Sequence, residues 1–264
     1  MNIPSGLPSE PLLGMIVALG DDELVLGHRN SEWTGFAPIL EEDIAFSNIA
    51  QDELGHSLAW FSLHEQLTGK TPDWMAFERN WRDFACCRLV AYPKGDFAYT
   101  VVRQFFFDAA EQVRMKSFAQ SSFDPLRQLS VKILAEEAYH LMHSQGLVER
   151  LGDGTEESHR RMQAAAETAF PQSLGLFEDF PAEADLVKAG VVKPSRELQE
   201  EWLTEIMRVL TRATLVVPVR KKNGTFEPEC SPDLGGRTGR HTDDLRQLVS
   251  DLQHVYQLAP GQPW

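Results

Sequence analysis

Apolar side chains return every three to four positions along most of this chain, the period of a helix rather than a strand, and the breaks fall at Gly, Pro, Asn and Ser. A first helix is expected over Pro11 to about Arg29, carrying Leu13, Ile16, Val17, Leu24 and Leu26, before a connection with Asn30, Ser31, Gly35 and Pro38. A second is expected from Leu40 to Leu67, with Ile44, Ile49, Leu54, Leu58 and Phe61 turned inward, ended by Thr68, Gly69 and Pro72. Residues 73 to 95 read as a long connection with some helix. A third helix is expected over Asp96 to Gln120, then a turn at Ser121 to Asp124, then a fourth helix that starts on Pro125 and stops near Leu151 at Gly152 and Gly154. Further helices are expected over Thr155 to Phe170, Ser195 to Thr211 and Thr242 to Gln257, with 212–240 as an extended loop. The pattern predicts an all-α protein: one domain over 1–264, with a core bundle at about 11–151 and C-terminal helices and a long loop over 152–264.

Two of these helices repeat a polar motif inside an apolar period. Glu53 and His56 in "DELGH" are echoed 84 residues later by Glu137 and His140 in "AEEAYH". Residues three apart on a helix lie about one turn apart on one face, so each pair can reach a single ion. One Glu-x-x-His is weak evidence in an acidic chain with 8 His, and Glu156 with His159 reads as such an accident.

The partner helices strengthen the pattern. In a helical hairpin, residues at equal height have sequence numbers whose midpoint falls in the turn. The midpoint of Glu23 and Glu53 is Pro38, and that of Asp108 and Glu137 falls between Ser122 and Phe123, both inside predicted turns. The spacings are 30 and 29 residues. Each hairpin thus offers a carboxylate opposite a Glu-x-x-His pair, the ligand pattern of di-iron and di-manganese carboxylate proteins with four-helix bundles. Asp22 fits the spacing almost as well as Glu23, and Glu111 is the alternate to Asp108. Four carboxylates and two imidazoles on inward faces would be costly to bury without cations. The donors, oxygen and nitrogen without thiolate, suit iron or manganese better than a structural zinc cage. The plainer alternative has Glu23 and Glu53 facing solvent and the histidines as satisfied core residues.

Charge and cysteines narrow the rest. With 25 Lys and Arg against 39 Asp and Glu, the formal net charge is −14, which argues against nucleic acid and anionic membrane surfaces as partners. Cys86, Cys87 and Cys230 do not form a disulfide framework, and no motif marks Cys86 or Cys87 as a nucleophile. The chain shows no leader-like start and no apolar run long enough to span a bilayer, so the cytoplasm is the expected location. Without a Gly-rich phosphate loop, neither flavin nor nicotinamide is expected on this chain. Arg220, Lys221 and Lys222 form the one conspicuous basic cluster, expected on a solvated loop. The band Phe105 to Phe107 is expected as core, with an aromatic pocket as the alternative.

The runs "LGDDELVLGHRNSEW" (19–33), "NIAQDELGH" (48–56), "RQFFFDAAE" (103–111), "AYHLMHSQGLVERLGDGT" (138–155), "RTGRHT" (237–242) and "LAPGQPW" (258–264) resemble the C-subunit family of bacterial phenylacetyl-CoA epoxidase. The likeness spans nearly the whole chain and is weakest in the first ten residues and near 181–194. It implies a ferritin-like fold and membership of a multicomponent monooxygenase of aerobic phenylacetate degradation. In that complex the related catalytic A subunit holds the di-iron centre and epoxidises the thioester's aromatic ring with O₂. It draws electrons from a flavin and iron-sulfur reductase, while the C subunit pairs with it as a scaffold. The implied partners are the catalytic A subunit, the other components of the complex and the reductase, with a homodimer as the pairing open to the isolated chain. Here the sequence departs from a plain scaffold. Glu23, Glu53, His56, Asp108, Glu137 and His140 match the ligand pattern of catalytic ferritin-like oxygenases, so two iron ions, or manganese, are expected. No residue is assigned to catalysis or substrate. Two alternatives stand beside this reading: a metal-free structural scaffold within the complex, and an independent ferritin-like iron-binding protein.

Overall fold

The computed structural model describes residues 3–260 and Gln262. Gly261, Pro263 and Trp264, part of the Gly-Gln-x-Trp ending in the resemblance above, lie outside the described residues. The fold is all-α and ferritin-like, with one small β-hairpin. It divides into two compact units: Met1–Pro93 together with Gly235–Trp264, and Lys94–Leu234.

In the first unit α1 (Ser9–Ser31) and α2 (Leu40–Thr68) form a hairpin. Gly69 ends α2 at φ 82°, a left-handed conformation that costs glycine little, and its N–H bonds the Glu65 carbonyl at 2.7 Å. Close approach at two glycines sets the hairpin's register. A Cβ at Gly20 would run into the Phe61 ring, and one at Gly27 would sit 3.1 Å from the Glu53 Cβ and the Ala50 carbonyl. Ser57 Oγ donates to the Gly20 carbonyl at 2.8 Å. Beyond α2 the chain makes a π-helical turn (Trp74–Glu78), a 3₁₀ turn (Trp81–Asp83) and the short α3 (Arg88–Ala91).

In the second unit α4 (Phe97–Phe118) and α5 (Asp124–Gly152) form the second hairpin, packed by α6 (Glu156–Ser173) and α8 (Ser195–Arg212). Asp96 caps α4 by accepting the Tyr99 N–H at 2.9 Å, and Pro125 opens the first turn of α5. Phe105, Phe106 and Phe107 are all buried. Phe106 packs edge-on to Trp202 at 5.8 Å, and the Trp202 indole donates to the Phe106 carbonyl at 3.0 Å. The band is therefore core. The short α7 (Glu183–Lys188) completes this unit's helices, and α9 (Asp243–Leu258) returns to the first unit, where Tyr256 stacks on Phe77.

Two expectations are corrected. The segment 212–240 is not wholly loop: β1 (Val219–Lys222) and β2 (Thr225–Pro228) pair antiparallel through Asn223 and Gly224 at φ 52° and 91°. The basic cluster lies on β1, exposed, with Arg220 bonded to Glu227 at 2.8 Å. Nor do Ile44, Leu54 and Leu58 turn inward. They are 53%, 38% and 56% exposed, while the buried face of α2 carries Phe46, Ile49, Glu53, His56, Trp60 and Phe61. The ordinary pattern is partly inverted here, with acids and histidine inside and aliphatic residues outside.

Candidate functional site

Three of the six expected ligands come together within the first unit. Glu23 on α1 and Glu53 and His56 on α2 are all buried, and each offers one ligand atom within 4.8 Å of the others. His56 Nδ1 lies 3.8 Å from Glu23 Oε2 and 4.0 Å from Glu53 Oε2. The hairpin contacts produce this arrangement, because Gly27 brings α1 against the Glu53 Cβ and Ser57, next to His56, fastens α2 to Gly20. Solvent-facing acids, the plainer alternative, are excluded by this burial.

The donor set fits a divalent cation. Ligand bonds of about 2.0–2.2 Å place opposed donor atoms roughly 4 Å apart, which is the scale of this triad. Two carboxylates with an imidazole in a dry interior are also the chemistry that a cation neutralises.

The neighbouring acids are settled differently. Asp22, which the spacing alone could not separate from Glu23, accepts from Arg237 at 3.0 and 2.6 Å and from the Cys87 N–H at 2.6 Å. Asp21 is held by Arg79 and by the Ala85 N–H. Arginine thus neutralises two of three consecutive buried acids, and Glu23 is the one directed at α2.

The second unit carries Asp108, Glu137 and His140, all fully buried. His140 Nδ1 is 3.2 Å from Glu137 Oε1, so both Glu-x-x-His pairs present Nδ1 to a carboxylate. Asp108 has both oxygens engaged by protein donors: Gln104 Nε2 at 2.6 Å and Ser144 Oγ at 2.6 Å. Burial pushes its pKa up to about 8, the charge of Glu137 pushes the same way, and His140, Ser144 and Gln104 pull against them. The alternate residue Glu111 is ion-paired with buried Arg114, whose guanidinium also donates to the Leu176 carbonyl at 2.8 Å. A carboxylate already balanced by arginine is a poor cation ligand, which favours Asp108.

Glu156 is exposed, and His159 meets the Gly152 carbonyl at 2.7 Å, so this third Glu-x-x-His is incidental. Cys86 is buried with its thiol pKa raised well above the ordinary value, chiefly by desolvation, which removes nucleophilic character.

Sequence reasoning missed five residues that shape the two sets: Arg79, Gln104, Arg114, Ser144 and Arg237. Gln104 precedes Asp108 by four and Arg114 follows Glu111 by three, spacings at which helical side chains meet, so these two had a readable signal. Arg237 and Asp22 are separated by 215 residues and had none.

Among the described residues, no helix is long and apolar enough to cross a membrane. The phenylacetic acid catabolic protein family model matches residues 6–264. Over 254 residues the chain is 35% identical to the C subunit of 1,2-phenylacetyl-CoA epoxidase from Escherichia coli (strain K12), covering 96% of this chain and 99% of that protein.

Proposed function

The chain belongs to the phenylacetic acid catabolic protein family, and from that premise we propose that it is the C subunit of a phenylacetyl-CoA epoxidase, paired with the catalytic A subunit of that complex and holding metal ligands of its own. The observation that carries the second half is the buried Glu23–Glu53–His56 triad. The first hairpin would contribute those three ligands, and the second would contribute Asp108, Glu137 and His140. Two iron ions suit the oxygen and nitrogen donors, with manganese the closest substitute. Bound iron supplies redox capacity toward O₂, and the protein supplies ligation, orientation and a dry interior.

The chain's own part is electrostatic and positional. Glu23, Glu53 and Glu137 would supply carboxylate oxygen, and His56 and His140 would supply imidazole nitrogen. Asp108 accepts from Gln104 and Ser144, and burial pushes its pKa up to about 8, which favours its neutral form while no cation is bound. Each Glu-x-x-His pair projects from consecutive turns of one long helix, which fixes its two donors relative to one another.

Elemental analysis of the purified chain beside a Glu53→Ala, Glu137→Ala double variant tests this reading. Wild type should carry iron or manganese in stoichiometric amount and the variant only background; equal content sinks the ligand assignment. Co-expression with the catalytic partner should give a complex that survives gel filtration, and its absence sinks the pairing.

A metal-free scaffold is the second reading. It draws on an exposed apolar stretch in the first unit, formed by Phe36, Ile39, Leu40, Ile44, Leu54 and Leu58 on α2 and the connection before it, more than a solitary chain needs. It predicts tight pairing with the catalytic partner and no metal in either wild type or variant.

A further inference from the structure

Asp21, Asp22 and Glu23 are consecutive and all buried. Successive helical residues point about 100° apart, so the three cannot serve one site, and the rotation of α1 about its axis decides which of them faces α2. Contacts on two sides fix that rotation. Toward α2, Gly27 and Gly20 allow the close approach and Ser57 bonds the Gly20 carbonyl. Elsewhere around α1, Arg237 reaches in from the C-terminal segment. Its Nη2 donates to Asp22 Oδ2 at 2.6 Å, and its Nη1 donates to Asp22 Oδ1 at 3.0 Å, to the Ala18 carbonyl at 3.3 Å and to the Ala85 carbonyl at 3.1 Å.

One guanidinium therefore holds two successive turns of α1 to the extended stretch 85–87. That stretch answers with the Cys87 N–H on Asp22 and the Ala85 N–H on Asp21. Arg79 secures Asp21 in the same way, its own Nε bonded to the Met75 carbonyl at 2.5 Å at the π-helical turn. The fit around Arg237 is tight: a Cβ on the adjacent Gly236 would collide with the Cys86 carbonyl.

The geometry points to Arg237 as a positioning residue for the metal ligand Glu23, acting through Asp22, with Arg79 and Asp21 reinforcing the same setting one residue earlier. This rests on reading Glu23, Glu53 and His56 as metal ligands. The tolerance is small. A carboxylate tip lies roughly 6 Å from the helix axis, so a rotation of about 20° moves it about 2 Å, against a coordination tolerance of about 0.2 Å. Arginine suits this task where lysine would not, because its planar fork bonds both oxygens of Asp22 and neighbouring carbonyls at once. It also cancels a charge that would otherwise compete with Glu23 for the cation.

The test titrates Mn²⁺ into the metal-free full-length chain and records Kd and thermal midpoint for wild type, Arg237→Met, the Asp22→Asn, Arg237→Met pair, and Glu53→Ala. Arg237→Met should bind Mn²⁺ at least tenfold more weakly, with a lowered midpoint because Asp22 is left buried without its counter-ion. Adding Asp22→Asn removes that charge and keeps an acceptor for the Cys87 N–H. The pair should therefore regain most of the midpoint while its Mn²⁺ affinity stays at least tenfold weak, a separation that a merely structural role does not produce. Wild-type affinity in the pair, or in Arg237→Met itself, overturns the proposal. Should Arg237→Met fail to fold, the pair decides alone. If wild type and Glu53→Ala bind Mn²⁺ equally, the ligand reading has failed and the positioning role goes with it, an outcome visible without any Arg237 variant.

Discussion

The two hairpins share a spacing and differ in their electrostatics. In the first, the acids beside Glu23 are neutralised by arginines from distant segments, and the candidate ligands Glu23, Glu53 and His56 face inward within 4.8 Å of one another. In the second, the acid that matches Glu23 in spacing is held by uncharged donors, Gln104 and Ser144, and its pKa stands near 8. An echo in sequence spacing is therefore not an echo in charge. The first set gathers two buried carboxylates around His56, whereas in the second Asp108 is engaged by two neutral donors and burial pushes its pKa up to about 8.

The sharpest consequence concerns metal content. Glu53→Ala removes a carboxylate from the first candidate set and should cost more than half of the bound metal. Asp108→Asn removes one already satisfied by protein donors, and half or more of the wild-type metal should remain. Elemental analysis of both variants distinguishes these outcomes, and equal losses would erase the contrast between the hairpins.

Next in size is Arg114, which balances Glu111 in the second hairpin with both side chains nearly fully buried. Removing one partner of a buried ion pair strands the other charge, which typically costs about 3–5 kcal/mol. Arg114→Met should lose about that much in denaturant unfolding, and the Glu111→Gln, Arg114→Met pair should recover a large part of it. A single variant as stable as wild type would mean that Glu111 finds another cation.

The proton on Asp108 gives a pH signature confined to the second hairpin. Its folded pKa of about 8 exceeds the ordinary 3.8, so between these values the folded metal-free chain keeps a proton that the unfolded chain has released. The unfolded state then binds fewer protons, and the Asp108 contribution to stability falls as pH rises from about 4 to 8 and levels off above. Asparagine can occupy the same place between Gln104 and Ser144 without titrating. The stability of Asp108→Asn relative to wild type should therefore grow from about pH 5 to about pH 8 in urea unfolding. A difference independent of pH would place the ordinary aspartate pKa in the folded chain.

Both hairpins were legible in the sequence because local rules and one long-range rule agreed. Apolar period, Pro125 and the helix-ending glycines set the elements, and the midpoints at Pro38 and the Ser122–Phe123 turn set the height at which a carboxylate meets each Glu-x-x-His pair, without separating Glu23 from Asp22 or Asp108 from Glu111. What the pattern misplaced was the face of α2. Ile49 and Phe61 are buried as expected, but Ile44, Leu54 and Leu58, which read as core, are exposed, and Glu53 and His56 take the interior. A helix that buries acids and histidine breaks the rule by which apolar faces are found. The hairpin at 219–228 carried its Asn-Gly signal in plain view, obscured by the prolines and glycines around it. The pairing of Asp22 with Arg237 had no local trace, because it depends on where a segment 215 residues away returns.

The smallest contrast is between two serines that each bond across a hairpin. Ser57 Oγ donates to the Gly20 carbonyl, which also accepts a bond within α1, so Ser57→Ala forfeits one contact and leaves no polar group stranded. Its cost should be the net value of an ordinary hydrogen bond, about 1 kcal/mol. Ser144 Oγ donates to Asp108, and Ser144→Ala leaves a buried carboxyl oxygen without that donor, which costs about 1–3 kcal/mol and more when the carboxyl is ionised. The gap between the two variants should therefore widen from about pH 6 to about pH 9 as Asp108 loses its proton. Denaturant midpoints for both serine variants across that range read the difference directly, and a gap that stays constant would show that Ser144 bonds a carboxyl whose charge does not change.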